Sequence, residues 1–414
     1  FGGARTAAQA SEKRWQAGQP QGALDGVPIT IKENIATRGV PVPLGTAASD
    51  MTPAAADAPA AARVREAGAI ILAKTTMPDY GMLSSGRSSF HPLTRNPWNL
   101  AWNPGGSSAG AGAAAAAGYG PLHLGTDIGG SVRLPAAWNG IFTLKPSLGR
   151  VPVDPPFLGR VVGPMTRTVA DSALLLGELS KPDPRDHMSL PPANIDWSAG
   201  SLEPKGLRIG LYLDAGSGLP VEAETKAAVE AAAKLFADAG ATVEALQGFL
   251  SPEMLHLQDL FWRVRSWVDF SALSHAKQAS VLPFIADWCR GGADVSGAMV
   301  IKGVSNYMAI RAAATRATQP FDYVLSPTSP VPTYPAQWET PTNDVNRPLE
   351  HISFTMPFNM SEQPAASINC GYTKEGKPIG LQIAGRRFDD LGVMRLSRWY
   401  EQARGPQKKW PEPS

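Results

Sequence analysis

Nine residues in a row, Ala109–Ala117 (AGAGAAAAA), carry no side chain larger than a methyl group. Alanine is the strongest helix former, so the run predicts a helix. Such a helix has no bulky side chains with which to bury itself. It is stable only if neighbouring elements come unusually close to its backbone. A fold built around it needs a large core on several sides. Clusters of Gly and Ser flank it on both ends: Gly105-Gly106-Ser107-Ser108 before, and Thr126-Asp127-Ile128-Gly129-Gly130-Ser131-Val132-Arg133 after.

The rest of the chain reads as mixed strands and helices. Val27–Ile31 reads as a short buried strand ending at Lys32, and Pro59–Ala67 as a helix with proline in its first turn. Ala69–Ala73 reads as a buried strand, and residues 84–108 as loop. Residues 119–143 read as a strand, a Gly-rich loop and a buried apolar run. Leu207–Leu213, Val221–Ala239 and Thr242–Leu246 read as strand, amphipathic helix and strand, an order that predicts a parallel pair with a helical crossover. Residues 250–320 read as mainly helical. Tyr323–Ser326, Ala365–Asn369 and Ile379–Ala384 read as strands, and Leu391–Ala403 as a closing helix. The expectation is one large α/β unit over residues 1–414, with a core at about 20–180 and a helical elaboration at about 250–320.

Composition excludes several classes. Apolar residues make up 43% and charged residues 18%, too apolar for a disordered chain. Net charge is +2 with no long basic run, which gives no support to a nucleic-acid surface. No run of about 18 apolar residues suggests a membrane span. The two cysteines, Cys289 and Cys370, form no disulfide framework or C-x-x-C, and the six histidines show no metal-ligand spacing. No cofactor or metal is expected. A cytoplasmic location is expected, although the chain starts at Phe1 rather than Met.

The second Gly/Ser cluster can carry chemistry. Glycines before a serine let successive backbone N–H groups converge beside its hydroxyl, as an oxyanion hole beside a nucleophile requires. The plainer reading is a tight turn with a capping serine. A serine nucleophile needs a base. A lysine held in an apolar site loses its charge and can accept a proton. Lys32, Lys74 and Lys145 each follow an apolar stretch, and spacing does not choose among them.

The motifs GVPITIKENI, AGAIILAKTTMPDYG, PGGSSAGAGAAAAAG, LGTDIGGSVRLPAAWNGIFTLKPS, FDYVLSPTSP and FNMSEQPAASINCGY, with GKPIGLQIAGRRFDD, resemble the amidase signature family from Gly26 to Ala403. The 75 residues from Lys32 to Ser107 and the 24 from Ser107 to Ser131 also fit its pattern. The resemblance implies an amidase-signature fold, a large mixed β-sheet covered by helices on both faces. It implies an amidase that uses no metal. Ser131 falls on the nucleophile, Ser107 on a bridging serine after a cis peptide bond, and Lys32 on the base. Ile128, Gly129 and Gly130, with Ser131, fall on the oxyanion hole. Ser108, Asp127 and Arg133 fall on positions that support this geometry. Family members usually carry a helical segment ahead of the lysine strand, which is expected to be missing here, and the assembly is expected to be a monomer or homodimer.

Two rival readings use the same residues. Gly106-Ser107-Ser108-Ala109-Gly110 fits the nucleophile elbow of an α/β-hydrolase esterase, with Ser108 attacking and His275 or His351 as base, but no strand precedes it. A glutaminase-type subunit of a tRNA-dependent amidotransferase is the other, although Ile128 and Leu134 stand where Thr and Gln are expected in such a protein. The substrate is expected to be a small neutral amide, apolar or aryl, with related esters or carbamates (urethanes) as side substrates. Tyr80, Met82, Leu83, Trp138 and the stretch Leu260, Phe261, Trp262 and Trp267 are the candidate pocket residues.

Overall fold

The computed structural model describes residues 2–412. Ten strands, β1 Pro28–Lys32, β2 Ile70–Thr75, β3 Leu122–Asp127, β4 Phe142–Lys145, β5 Val161–Thr166, β6 Arg208–Leu211, β7 Thr242–Ala245, β8 Tyr323–Pro327, β9 Ala365–Tyr372 and β10 Pro378–Gly385, form one sheet in the order β2-β1-β3-β5-β4-β9-β10-β8-β6-β7. Its two flanks, β2-β1-β3 and β8-β6-β7, are parallel. The strands between them run antiparallel to their neighbours. Helices α1 Gly2–Gln16, α2 Pro59–Glu66, α3 Ala109–Ala117, α4 Arg133–Asn139, α5 Val169–Leu179 and α6 Ala223–Asp238 belong to the first part of the chain. Helices α7 Pro252–Ser271, α8 His275–Ser280, α9 Pro283–Arg290, α10 Gly297–Thr318, α11 Met356–Met360 and α12 Asp390–Ala403 follow. Among the described residues, no helix is long and apolar enough to cross a membrane.

Strand alternation sorts the side chains into two cores. Ile29, Ile31, Leu122, Leu124, Phe142, Leu144, Leu325, Ala366, Ile368, Leu381 and Ile383 pack on one face with α2, α5, α6 and α12. Val324, Ala365 and Ala384 pack on the other with α4, α7, α9, α10 and α11. On β1 this leaves Thr30 and Lys32 on the second face, and on β3 it leaves His123, Gly125 and Asp127. The polar residues of both strands are thereby gathered under α3 and α4. The crossover expected between residues 207 and 246 is present as β6-α6-β7, with Arg208 paired to Thr242 and Leu211 to Ala245.

The alanine-glycine helix lies against β1, β2, β3, β5 and α4. A Cβ on Gly110 would stand 2.5 Å from the backbone nitrogen of Thr76, so the small residues serve close approach. Three stretches differ from the sequence reading. Residues 133–139, read as an apolar run, are the helix α4. Residues 161–166 form a fully buried strand although Gly163 and Pro164 interrupt a strand pattern. Ahead of β1, where no helical segment was expected, α1 is present. Its Ala, Gln, Lys and Arg residues favour helix, and Arg14 and Trp15 tie it to the turn before β1 through the Asp25 carboxylate and carbonyl.

Candidate active site

Lys32 ends β1 with its side chain wholly buried. Its Nζ lies 2.8 Å from Ser107 Oγ, 3.0 Å from Thr126 Oγ1 and 3.1 Å from Ser108 Oγ. None of these is a carboxylate. The neighbouring Glu33 turns away and holds His91 Nε2 at 2.6 Å. Burial pushes the Lys32 amine down to about 7. Asp127 and Glu33 act against that shift, and Arg160 adds a little to it. The other two lysines left open by the sequence go elsewhere. Lys74 Nζ donates to the Ile35 carbonyl and to Thr37 Oγ1. Lys145 Nζ donates to the Pro146 carbonyl at 2.8 Å.

The two Gly/Ser clusters meet here. The Gly106–Ser107 peptide is cis. The N–H of Ser108 donates to the carbonyl of Ser131 at 3.1 Å, which fastens the first cluster to the second. The hydroxyl of Ser108 is buried, donates to the Thr126 carbonyl and lies next to Lys32. No strand precedes it. His351 bonds Ser84 Oγ through Nε2, and His275 is exposed on α8. Neither histidine is bonded to Ser108, so the elbow arrangement is absent.

Asp127 closes β3 and organises the loop after it. It accepts the N–H of Gly130 at 2.8 Å, that of Val132 at 3.1 Å, and Asn359 Nδ2 at 2.9 Å. Arg133 reaches it through Nε and Nη2 at 3.1 and 2.9 Å. Burial favours the neutral carboxyl, but the charge and hydrogen bonds of Arg133 outweigh it and hold Asp127 well below the usual carboxylate range. The remaining donors of Arg133 bind the Thr355 carbonyl, Gln382 Oε1 and Asn359 Oδ1. Gly130 adopts φ +132°, and a Cβ there would strike Thr355 Oγ1 at 2.6 Å. This corrects one expectation. The N–H of Gly130 is used by Asp127 and is not available to an oxyanion. The N–H groups of Ile128, Gly129 and Ser131 donate to no acceptor among the described residues.

Ser131 opens onto a cleft of about 510 Å³ of space between atoms, part of it continuous with solvent. Met82, Leu83, Ile128, Gly129, Leu134, Trp262 and Ile352 line it with Ser131. Trp138 does not. It is 1% exposed and donates through Nε1 to the Val331 carbonyl at 3.1 Å, packing edge-on to Tyr334 behind the cleft. Sequence reasoning assigned no role to Thr126, which opens the second Gly/Ser cluster. It also assigned no role to Thr355, Asn359, Gln382 and Arg265, which arrive from segments distant in sequence. His351 lines the cleft neutral, pushed down to about 3 by burial. Among the described residues, no group of three or more His, Cys, Asp or Glu side chains is gathered as a metal site.

The model of the family described as Amidase matches residues 1–394. A glutamyl-tRNA(Gln) amidotransferase chain of Myxococcus xanthus is 35% identical over 96% of this chain and 87% of its own length. The acylamidase of Rhodococcus erythropolis is 32% identical over 99% of this chain and 88% of its own. A bacterial aryl acylamidase of the amidase signature family superposes with a TM-score of 0.89 at 31% identity, over 97% of this chain and 87% of that one.

Proposed function

The chain belongs to the amidase family and is a C–N hydrolase acting on amides, and from that premise we propose that it works through an acyl-enzyme on Ser131. The observation that carries this reading is the buried Lys32 amine, 2.8 Å from Ser107 Oγ, with no carboxylate partner and a proton affinity lowered to about 7. A neutral amine there accepts the proton of Ser107 while Ser107 accepts that of Ser131. Ser131 Oγ then attacks the carbonyl carbon. The free N–H groups of Ile128, Gly129 and Ser131 hold the oxyanion, each such donor contributing roughly 2.7–4 kcal/mol to lowering the barrier. The C–N bond breaks as the relay returns its proton to the leaving amine. Water repeats the path and releases the acid. Ser108 positions Lys32, and Asp127 with Arg133 fixes the loop.

The cleft walls formed by Met82, Leu134, Trp262 and Ile352 favour an amide with an apolar or aryl portion. Esters and carbamates place the same carbonyl at Ser131 and are side substrates. A second reading, glutamine hydrolysis within a tRNA-dependent assembly, has the identity to the Myxococcus amidotransferase chain in its favour and the apolar walls against it. A hydrolysis screen over aryl amides, fatty amides, carbamates and glutamine decides between them. Turnover of aryl amides is expected. Activity on glutamine with none on aryl amides overturns the first reading.

A further inference from the structure

We propose that the substrate carries a carboxylate, held between Arg160 and Arg265 beside the hydroxyl of Tyr307. This deepens the amide-hydrolase reading and rests on it. Arg265 lies on α7, three residues past Trp262, and both line the cleft with Ser131. Arg160 ends the loop before β5 and lines a second cavity together with Asn34 and Thr126, the latter bonded to Lys32. The two guanidinium groups flank one ring, that of Phe157, at 4.3 Å for Arg265 and 5.3 Å for Arg160.

Neither arginine has a carboxylate partner among the described residues. Arg160 donates to the Pro155 carbonyl at 3.2 Å, and the guanidinium of Arg265 donates to no acceptor among the described residues. Asp269, one turn further along α7, is exposed and makes no ion pair with Arg265. Arg14, Arg87, Arg133, Arg150 and Arg263 each meet a carboxylate within ion-pair distance, whereas Arg167 and Arg404 donate to carbonyls. Burial, and after it the charge of Arg265, pushes Arg160 down to about 10. Tyr307 on α10 is 2% exposed, and its oxygen accepts Trp262 Nε1 at 3.3 Å. The Tyr307 hydroxyl also meets the buried side-chain amide of Gln258 on α7.

Two half-buried cations that share the Phe157 ring and meet no carboxylate define a site short of one anion. Half-buried charges are normally paired. A carboxylate accepts from guanidinium in planar, two-pronged geometry, which suits this pair better than a spherical ion. The apolar walls between Ser131 and Arg265 fit an aliphatic or aromatic spacer. The substrate class is therefore an amide whose scissile carbonyl sits at Ser131 and whose carboxylate lies at the far end of an apolar tether. The two arginines are distant in sequence, so no charged cluster announced them, and the expectation of a wholly neutral amide is revised accordingly.

The test compares succinyl, glutaryl and adipoyl 4-nitroanilides with neutral isosteres in which an isopropyl group replaces the carboxylate. A second pair carries the carboxylate on the aniline ring instead. In the wild-type enzyme at least one acid should exceed its isostere by tenfold or more in kcat/KM. Arg265→Gln and Arg160→Gln should each bring that ratio close to one, and Arg265→Lys should restore part of it. Equal turnover of acids and isosteres in every pair overturns the inference while leaving the amide-hydrolase reading intact. A ratio unchanged in both Gln variants overturns it as well. If no anilide of either kind is cleaved, the aryl-amide reading falls and the inference with it.

Discussion

Lys32 and Lys145 are both fully buried, both stand at the end of a strand after an apolar run, and burial pushes both down to about 7. Their surroundings differ. Lys32 Nζ faces three hydroxyls, whose protons a neutral amine can draw upon. Lys145 Nζ faces the carbonyl of Pro146, which has no proton to give. Beside Lys145, the charge of Arg133 lowers the amine further, while Asp127 and Asp390 oppose it. A lowered proton affinity thus marks burial, and the partner atom decides whether the lysine is a base or a piece of core.

The comparison can be broken by experiment. The largest effect sets its scale. Ser131→Ala should lower kcat by about 10^4-fold or more and abolish labelling by a serine-directed covalent reagent, read by intact-protein mass spectrometry. Lys32→Ala should fall most of the way to that floor, by about 10^3-fold or more, and Lys32→Arg should not rescue it, because guanidinium stays charged. Lys145→Met should keep activity within about fivefold of wild type. A loss in Lys145→Met equal to that in Lys32→Ala would erase the distinction.

The pH profile sharpens the contrast. The base works unprotonated, so kcat/KM should fall about tenfold per unit as pH drops below about 7 and reach a plateau above it. Lys145→Met should retain that limb. The smallest effect is on stability. Each lysine has an ordinary value of 10.5 and a folded value of about 7. Between these the unfolded chain binds more protons than the folded one, so stability rises with pH across that window, and the penalty of burying each charge is fully felt below about 7. Lys145→Met removes one of the two contributions. Urea unfolding at pH 7 and pH 9.5 should show a smaller gain for the variant than for wild type. An unchanged gain would mean that Lys145 does not titrate in this range.

Much of the scaffold was legible in the sequence because local chemistry dictates it. The helix 109–117 has the bounds its composition suggests, and β6-α6-β7 follows a clear change of period. The strand β5 was illegible because Gly163 and Pro164 break the pattern, and only the neighbours β3 and β4 stabilise that stretch as sheet. At the site, both Gly/Ser clusters could be found in the sequence. The choice of Lys32 over Lys74 and Lys145 could not, since it depends on what lies across the sheet. Gly130 illustrates a further limit. A Gly-Gly pair signals that N–H groups turn, but not that one of them is claimed by Asp127. Trp138 shows the same for apolar residues, where composition does not separate cleft wall from the layer behind it.

The contacts of Arg133 span the chain, reaching Asn359 226 positions ahead and Gln382 249 positions ahead. A ribosome making this protein finishes the Gly/Ser loop early and the residues that brace it late. Until the segment through residue 382 has emerged, Arg133 lacks Thr355, Asn359 and Gln382, and Asp127 lacks Asn359. A nascent chain, or a product cut short by proteolysis or a premature stop, therefore lacks the braced loop.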